Sequence, residues 1–273
     1  MNLDELVRLS LEEDVGHGDL TTEATVPASA TGRARIYAKE ALVVSGQEVA
    51  AEVFRQLGCR YEAQVDDGAC AGGSEPDTIA LVSGPSRGLL TGERAALNFL
   101  MRLCGIATHV RRVVAAAPGL RLVDTRKTTP LLRGLEKAAV RHGGAANHRF
   151  GLFDGILIKD NHIVAAGGIR QAVARARAGA HPLLRVEVEV EDLAELAEAL
   201  EAGADDVLLD NMDDTLLAEA VRLNAGRARL EVSGGITAER LPLLRGLGVH
   251  RVSMGGLIHQ ARWVDLSLRM LPA

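Results

Sequence analysis

RVEVEVEDLAELAEALEAGADDVLLD, residues 185–210, is the stretch on which the fold turns. Its first seven residues alternate strictly. Val186, Val188 and Val190 share one face of a strand, and Arg185, Glu187, Glu189 and Glu191 share the other. Asp192–Ala202 is rich in Ala, Leu and Glu and reads as an amphipathic helix. Asp206-Val-Leu-Leu-Asp210 is a second short apolar run that ends on a carboxylate. Strand, helix and strand in so short a span make a parallel repeat unit, and a right-handed crossover lays the two strands side by side.

The same rhythm extends in both directions. Leu120–Asp124, Gly155–Lys159, Leu230–Ser233 and Val249–Met254 are also short apolar runs. Their terminal polar or small residues, with those of the central unit, fall at 124, 159, 189, 210, 233 and 255. Six or more such units can close into a barrel whose strand ends gather at one C-terminal mouth. The competing arrangement is an open doubly wound sheet. Its usual marker, G-x-G-x-x-G, is absent, since Gly16-His-Gly18 continues as Asp-Leu-Thr, and no P-loop pattern occurs. In a barrel the charged row of residues 185–191 points into the lumen and must find cations or a metal. On an edge strand it is a wet face.

The first hundred residues read differently. Gly32–Val44 and Gln64–Val82 alternate as short strands do, with a helix expected over Ser45–Leu57 and a polar, Gly-rich loop over 66–78. From Gly92 the pattern is helical, with Leu97, Leu100, Met101 and Cys104 on one face. Gly105 is expected to interrupt it before a second helix running to about Ala117, which puts a domain boundary near 105–118.

The chain has 273 residues, 47% hydrophobic and 25% charged, with a net charge of −5. That supports a sizeable core and excludes disorder. An acidic balance and seven aromatics argue against nucleic-acid binding. No run approaches a membrane span, and Met1–Ser10 lacks the apolar core of a secretory signal, so a cytoplasmic location is expected. Cys59, Cys70 and Cys104 form no C-x-x-C and read as reduced thiols. Between Arg121 and Lys159 lie eight basic and three acidic residues. Such a basic island in an acidic chain suggests a small, strongly anionic ligand, although any one of its members is more often a solvated surface charge.

Several motifs carry chemistry. In Asp124-Thr-Arg-Lys-Thr-Thr-Pro130, Pro130 suits the first helical position and Thr129 its cap, which places Arg126 and Lys127 in a strand-to-helix turn able to hold phosphate or carboxylate. In Gly143-Gly-Ala-Ala-Asn-His-Arg149, the glycines allow close backbone approach, and His148 and Arg149 add two more donors. Lys159 ends an apolar strand. It meets a bound anion, forms a Schiff base, or pairs internally with a glutamate. Glu189 and Asp210 near bound phosphates suit Mg²⁺, an oxygen-seeking ion. Ser233-Gly234-Gly235 and Gly255-Gly256 follow consecutive strands, as phosphate-cradling turns do. Nothing local distinguishes Arg94 from a surface arginine.

Taken in order, GERAALN (92–98), CGIAT (104–108), DTRKTTP (124–130), EKAAVRHGGAANHR (136–149), IKDNH (158–162), EVEVE (187–191), LLDNM (208–212) and SGGI (233–236) resemble the quinolinate phosphoribosyltransferase family across nearly the whole chain. The resemblance implies an N-terminal α/β sandwich domain, residues 1–107 joined by 260–273, and an incomplete, about seven-stranded parallel α/β barrel, residues 108–259. It implies transfer of phosphoribosyl from phosphoribosyl pyrophosphate to quinolinate with decarboxylation. Arg126, His148, Arg149 and Lys159 would contact quinolinate. Lys127, Glu189, Asp210, Ser233, Gly234, Gly235, Gly255, Gly256 and His259 would serve the sugar-phosphate side, with Mg²⁺ at Glu189 and Asp210, and Lys159, Glu189 and Asp210 would be catalytic. A homodimer or higher oligomer is implied, with Arg94 completing its neighbour's site. Met101, Cys104 and the stretch 253–260 depart from the family's commoner residues, and the 66–78 loop is slightly long. The alternatives are a molybdate-operon paralogue of the same fold, which typically lacks the Asp of DTRKT and the KDNH signature, a Schiff-base aldolase using Lys159, and a non-catalytic anion sensor.

Overall fold

A computed structural model describes residues 2–73 and 77–272. Backbone contacts divide the chain into two units. One comprises residues 1–112, 128–144 and 257–273, and the other residues 113–127 and 145–256.

The first unit begins with helices α1 (Leu3–Val15) and α2 (Leu20–Thr25). Strands β1 (Thr31–Ala38) and β2 (Leu42–Val43), helix α3 (Gln47–Gln56), strands β3 (Arg60–Ala63), β4 (Cys70–Ala71) and β5 (Asp77–Pro85), and helix α4 (Ser86–Ala116) follow. With β12 (Leu266–Met270), they form an antiparallel sheet ordered β12-β1-β5-β3, beside a small β2-β4 pair. On β1, Ala34, Ile36 and Ala38 are fully buried while their neighbours are not, the two-residue period of a one-sided sheet. Helix α3 buries Val49, Ala50, Val53 and Phe54. The expected 66–78 loop contains β4. Its residues 74–76 lie outside the described residues.

Helix α4 runs unbroken for 31 residues, through the position where Gly105 was expected to stop it. A Cβ at Gly105 would overlap the carbonyl oxygen of Arg262. The glycine therefore admits a neighbouring backbone and does not break the helix. No helix among the described residues is long and apolar enough to cross a membrane.

Helix α5 (Arg133–Gly143) also belongs to the first unit, an excursion that the division at 107/108 does not include. Its attachments to α4 explain why. Arg102 donates to Glu136 at 2.8 Å, Arg111 donates to the Gly143 and His142 carbonyls at 3.0 and 2.9 Å, and Gly143 lies where a Cβ would strike Val110. So Gly143 serves helix packing. Pro130 does not open α5, and Thr129 does not cap it at that point. Leu132 is the N-cap, and Thr129 instead gives its N–H and hydroxyl to Glu136, at 2.8 and 2.9 Å.

The second unit holds β6 (Leu122–Val123), β7 (Ile156–Ile158), α6 (Asp160–Ala166), α7 (Ile169–Gly179), β8 (Val186–Val190), α8 (Leu193–Glu201), β9 (Asp206–Asp210), α9 (Asp214–Asn224), β10 (Arg229–Ser233), α10 (Leu241–Gly246) and β11 (Arg251–Ser253). The short helix α11 (Gly256–His259) starts on its last residue and lies otherwise in the first unit. All six strands are parallel, in the order β6-β11-β10-β9-β8-β7. The expected seventh strand is reduced to one parallel bridge between Ala146 and Val123.

The sheet is strongly curved. Arg251 on β11 donates to Glu187 on β8 at 2.8 Å, with β10 and β9 between them in the sheet order. In a flat sheet those strands would lie about 14 Å apart, roughly twice the reach of an arginine side chain. The valines of β8 are fully buried on one face, while Glu187 and Glu189 face the lumen. Aspartates cap the starts of α8 and α9. Asp192 accepts the Glu195 N–H and Asp213 the Leu216 N–H, at 2.8 and 2.9 Å.

Candidate active site

A cavity of about 490 Å³ opens at the C-terminal ends of these strands. Its walls are Thr125, Arg126 and Lys127 after β6, His148 and Arg149, then Leu157 and Lys159, Glu189, Leu208, Asp210 and Asn211, Glu231, Ser233, Gly234 and Gly235, and Ser253. Four lysines and arginines face three carboxylates there.

Register places each side chain. Ile158 and Val188 are partners across β7 and β8, so the next residues, Lys159 and Glu189, stand side by side and form an ion pair. The internal pairing expected as an alternative for Lys159 thus occurs inside the cavity itself. His162 accepts the Lys159 N–H at 3.0 Å and ties the strand end to α6, which gives the histidine of KDNH its purpose. Ser233 and Asp210 are likewise register partners. Gly234 and Gly235 have φ of 85° and 57°, the left-handed region that favours glycine. A Cβ on Gly234 would overlap Asn211, whose N–H reaches the Ser233 carbonyl at 3.0 Å and whose Nδ2 reaches Asp210 at 2.6 Å.

Arg149 donates to the Gly155 carbonyl at 3.0 Å. Burial, and after it the neighbouring Arg126 charge, lowers its pKa. An anion bound in the cavity that both guanidiniums line offsets this repulsion.

Below this mouth lies a second layer that joins Glu187 and His148, marked by the sequence motifs, to Glu231, Asp206 and Arg251, which they did not mark. Arg251 donates to Glu231, to Glu187 at 2.8 Å and to Asp206 at 3.2 Å. His148 Nε2 stands 3.3 Å from Glu187 and 3.5 Å from Glu231. Burial opposes charge on this imidazole, but the two carboxylates outweigh it and raise the pKa to about 9. Burial likewise raises the Glu231 pKa, and His148 and Arg251 overcome it, to about 2. His148 Nδ1 lies 2.8 Å from the Arg149 main-chain nitrogen and accepts its N–H when the ring is neutral. Asp124, fully buried, accepts the His148 N–H at 2.8 Å and Asn147 Nδ2 at 2.6 Å. Alternation along β8 and β10 was the available signal for Glu187 and Glu231. Asp124 and Asn147 carried none beyond their place in the motifs. His148, Glu187 and Glu231 offer ligand atoms within 4.8 Å of one another, but a guanidinium already bound to both carboxylates opposes a metal ion there.

Other expected site residues lie elsewhere. Gly255 and Gly256 follow β11 but do not line the cavity. His259, exposed at the end of α11, and Arg94, exposed on α4, belong to the first unit. Arg94 lines a cleft of about 370 Å³ with Gly18–Thr21, where Asp19 caps α2 and accepts the Thr91 hydroxyl at 2.9 Å. The basic island also divides. Arg126, Lys127, Arg149 and Lys159 reach the cavity, whereas Arg133, Lys137 and Arg141 sit on α5 of the first unit.

Family models describe both parts of the chain. Residues 19–104 match the N-terminal domain of quinolinate phosphoribosyl transferase, and residues 106–269 match its C-terminal domain. The chain belongs to the quinolinate phosphoribosyl transferase family. A probable nicotinate-nucleotide pyrophosphorylase [carboxylating] of Bacillus subtilis is 40% identical over 98% of this chain and 93% of its own. The human nicotinate-nucleotide pyrophosphorylase [carboxylating] is 40% identical over 92% of this chain and 86% of its own. The crystal structure of NadC from Streptococcus pyogenes superposes with a TM-score of 0.92 at 41% identity, covering 99% of this chain and 97% of that one. Among members of the quinolinate phosphoribosyl transferase family, this chain therefore combines the family's parallel unit with a cavity in which Arg126, Arg149 and Lys159 converge.

Proposed function

We propose that the chain transfers the phosphoribosyl group of phosphoribosyl pyrophosphate to quinolinate and releases pyrophosphate and carbon dioxide, giving nicotinate mononucleotide for NAD biosynthesis. The observation that carries this is the convergence of Arg126, Lys127, Arg149 and Lys159 on one cavity. Both substrates are small polyanions, and holding them together requires fixed cations.

Arg126, Arg149 and Lys159, with His148, take the quinolinate carboxylates. Lys127 and the Ser233-Gly234-Gly235 turn take the sugar phosphates, with Gly255, Gly256 and His259 as further candidates on that side. Glu189 and Asp210 offer oxygen donors at the cavity wall, and two carboxylates suit an ion that keeps waters and substrate phosphates as its other ligands. Glu189 and Asp210 would hold Mg²⁺ there, and the ion would supply positive charge to the departing pyrophosphate. The ring nitrogen attacks C1 of the ribose as pyrophosphate leaves, and the resulting positive nitrogen makes loss of the adjacent carboxylate feasible. Positioning and charge stabilisation do the catalytic work, with Lys159, Glu189 and Asp210 nearest the reacting groups. Arg94 from a second copy of the chain completes the site in a homodimer or larger assembly. A cytoplasmic setting suits these soluble metabolites.

The Schiff-base reading of Lys159 is disfavoured by its ion pair with Glu189, because an ammonium held by a carboxylate has no lone pair to offer. One assay tests the proposal. Quinolinate, phosphoribosyl pyrophosphate and Mg²⁺ should yield nicotinate mononucleotide with equimolar carbon dioxide, and no product from the purified protein refutes it.

A further inference from the structure

Beneath the cation-lined mouth, the curved sheet carries charge where barrel interiors ordinarily carry bulky branched side chains. Alternation sets Glu187 one step below Glu189, Glu231 one step below Ser233, and Arg251 one step below Ser253. Glu187 is 5% exposed and Glu231 fully buried. Such burial costs free energy unless every charge is paired, so the layer requires a reason.

Its geometry supplies one. Arg251 occupies Glu187 Oε1 and Glu231 Oε2, which turns the remaining oxygen of each toward the same atom, Nε2 of His148. Glu231 Oε1 is fully buried and has no hydrogen bond within ordinary distance. On the other side of the ring, Nδ1 lies 2.8 Å from the Arg149 main-chain nitrogen. The ring is thus fixed between two acids below and the main chain of an anion-binding arginine above. An apolar layer would fill the same space without dictating how the imidazole points.

We infer that Glu187 and Glu231, squared up by Arg251, are positioning residues that fix the His148 ring and, through it, the Arg149 main chain for capture of the anionic substrate. This rests on the function proposed above. The charged groups that face His148 are Glu187 from β8 and Glu231 from β10, with Arg251 from β11 behind them, Asp124 on its main-chain N–H, and Arg149 beside it.

The test uses the full-length protein with Glu231→Gln, Glu187→Gln and Arg251→Lys. NMR titration of the His148 ring should show a midpoint that falls by about one pH unit or more in Glu231→Gln and by less in the charge-conserving Arg251→Lys. In steady-state kinetics, Glu231→Gln should raise KM for quinolinate roughly tenfold while leaving KM for phosphoribosyl pyrophosphate within about twofold. A folded Glu231→Gln protein with an unchanged His148 titration overturns the inference, and so does an equal rise in both KM values. Should that variant not fold, Glu187→Gln, which keeps the Arg251–Glu231 pair, carries the same expectations. Absence of turnover in the unsubstituted protein would refute the proposed reaction, while the His148 titration would still decide the positioning role.

Discussion

Arg126 and Arg149 line the same cavity, and the Arg126 charge, second only to burial, lowers the Arg149 pKa. An anion bound beside both guanidiniums relieves this repulsion. Arg126→Gln should therefore lower kcat/KM by roughly two orders of magnitude or more while leaving the midpoint of thermal unfolding unchanged or slightly raised. A clear loss of stability in that variant would show that Arg126 is structural.

Shared sites can be tested by mixing. Arg94→Ala and Lys159→Ala should each be nearly inactive alone. After subunit exchange, a hybrid dimer contains one site with both residues intact and should recover up to about a quarter of native activity in an equimolar mixture. No recovery with exchange demonstrated by native mass spectrometry would refute the role of Arg94.

Glu40 offers a test of acid stability. It accepts from Arg262 and from the Asp265 N–H at 2.9 Å, and the Arg262 bond, chief among these causes, lowers its pKa to about 2. A carboxyl with a depressed folded pKa stabilises the fold above its unfolded value, and loses that contribution as pH falls toward the folded one. Between about pH 4.5 and 2 the protein should lose on the order of 2 kcal/mol from this site, allowing for its partial exposure. Urea unfolding of Glu40→Gln across that window should show a shallower pH slope.

Gly105→Ala weighs two effects. Alanine in a helix interior gains about 1 kcal/mol over glycine. Here its Cβ would overlap the Arg262 carbonyl, and overpacking against backbone costs roughly 1–3 kcal/mol. The variant should be net destabilised, by about 1 kcal/mol or more in chemical unfolding.

Those residues also show what could be read in the amino-acid order. The two-residue period of 185–191 placed Glu187 and Glu189 in the lumen because strand geometry alone dictates it, and the strand ends at 159, 210 and 233 located the mouth for the same reason. Gly105 misled because a glycine that ends a helix and one that admits a neighbouring chain look identical until the neighbour, Arg262, is known. The basic island misled in a related way. Arg133, Lys137 and Arg141 are close to Arg126 in sequence, but Arg102 and Arg111 hold their helix in the other unit. Arg251 was invisible because its partners lie 20, 45 and 64 positions away.

That helical excursion has a further result for how the molecule is made and taken apart. Following the chain from one end to the other, the path passes between the two units four times, at 112/113, 127/128, 144/145 and 256/257. No single cut in the gene or the polypeptide yields either unit whole. The first unit also needs β12, which follows the whole of the second unit in the chain and pairs with β1. Truncated halves should therefore be poor folding species.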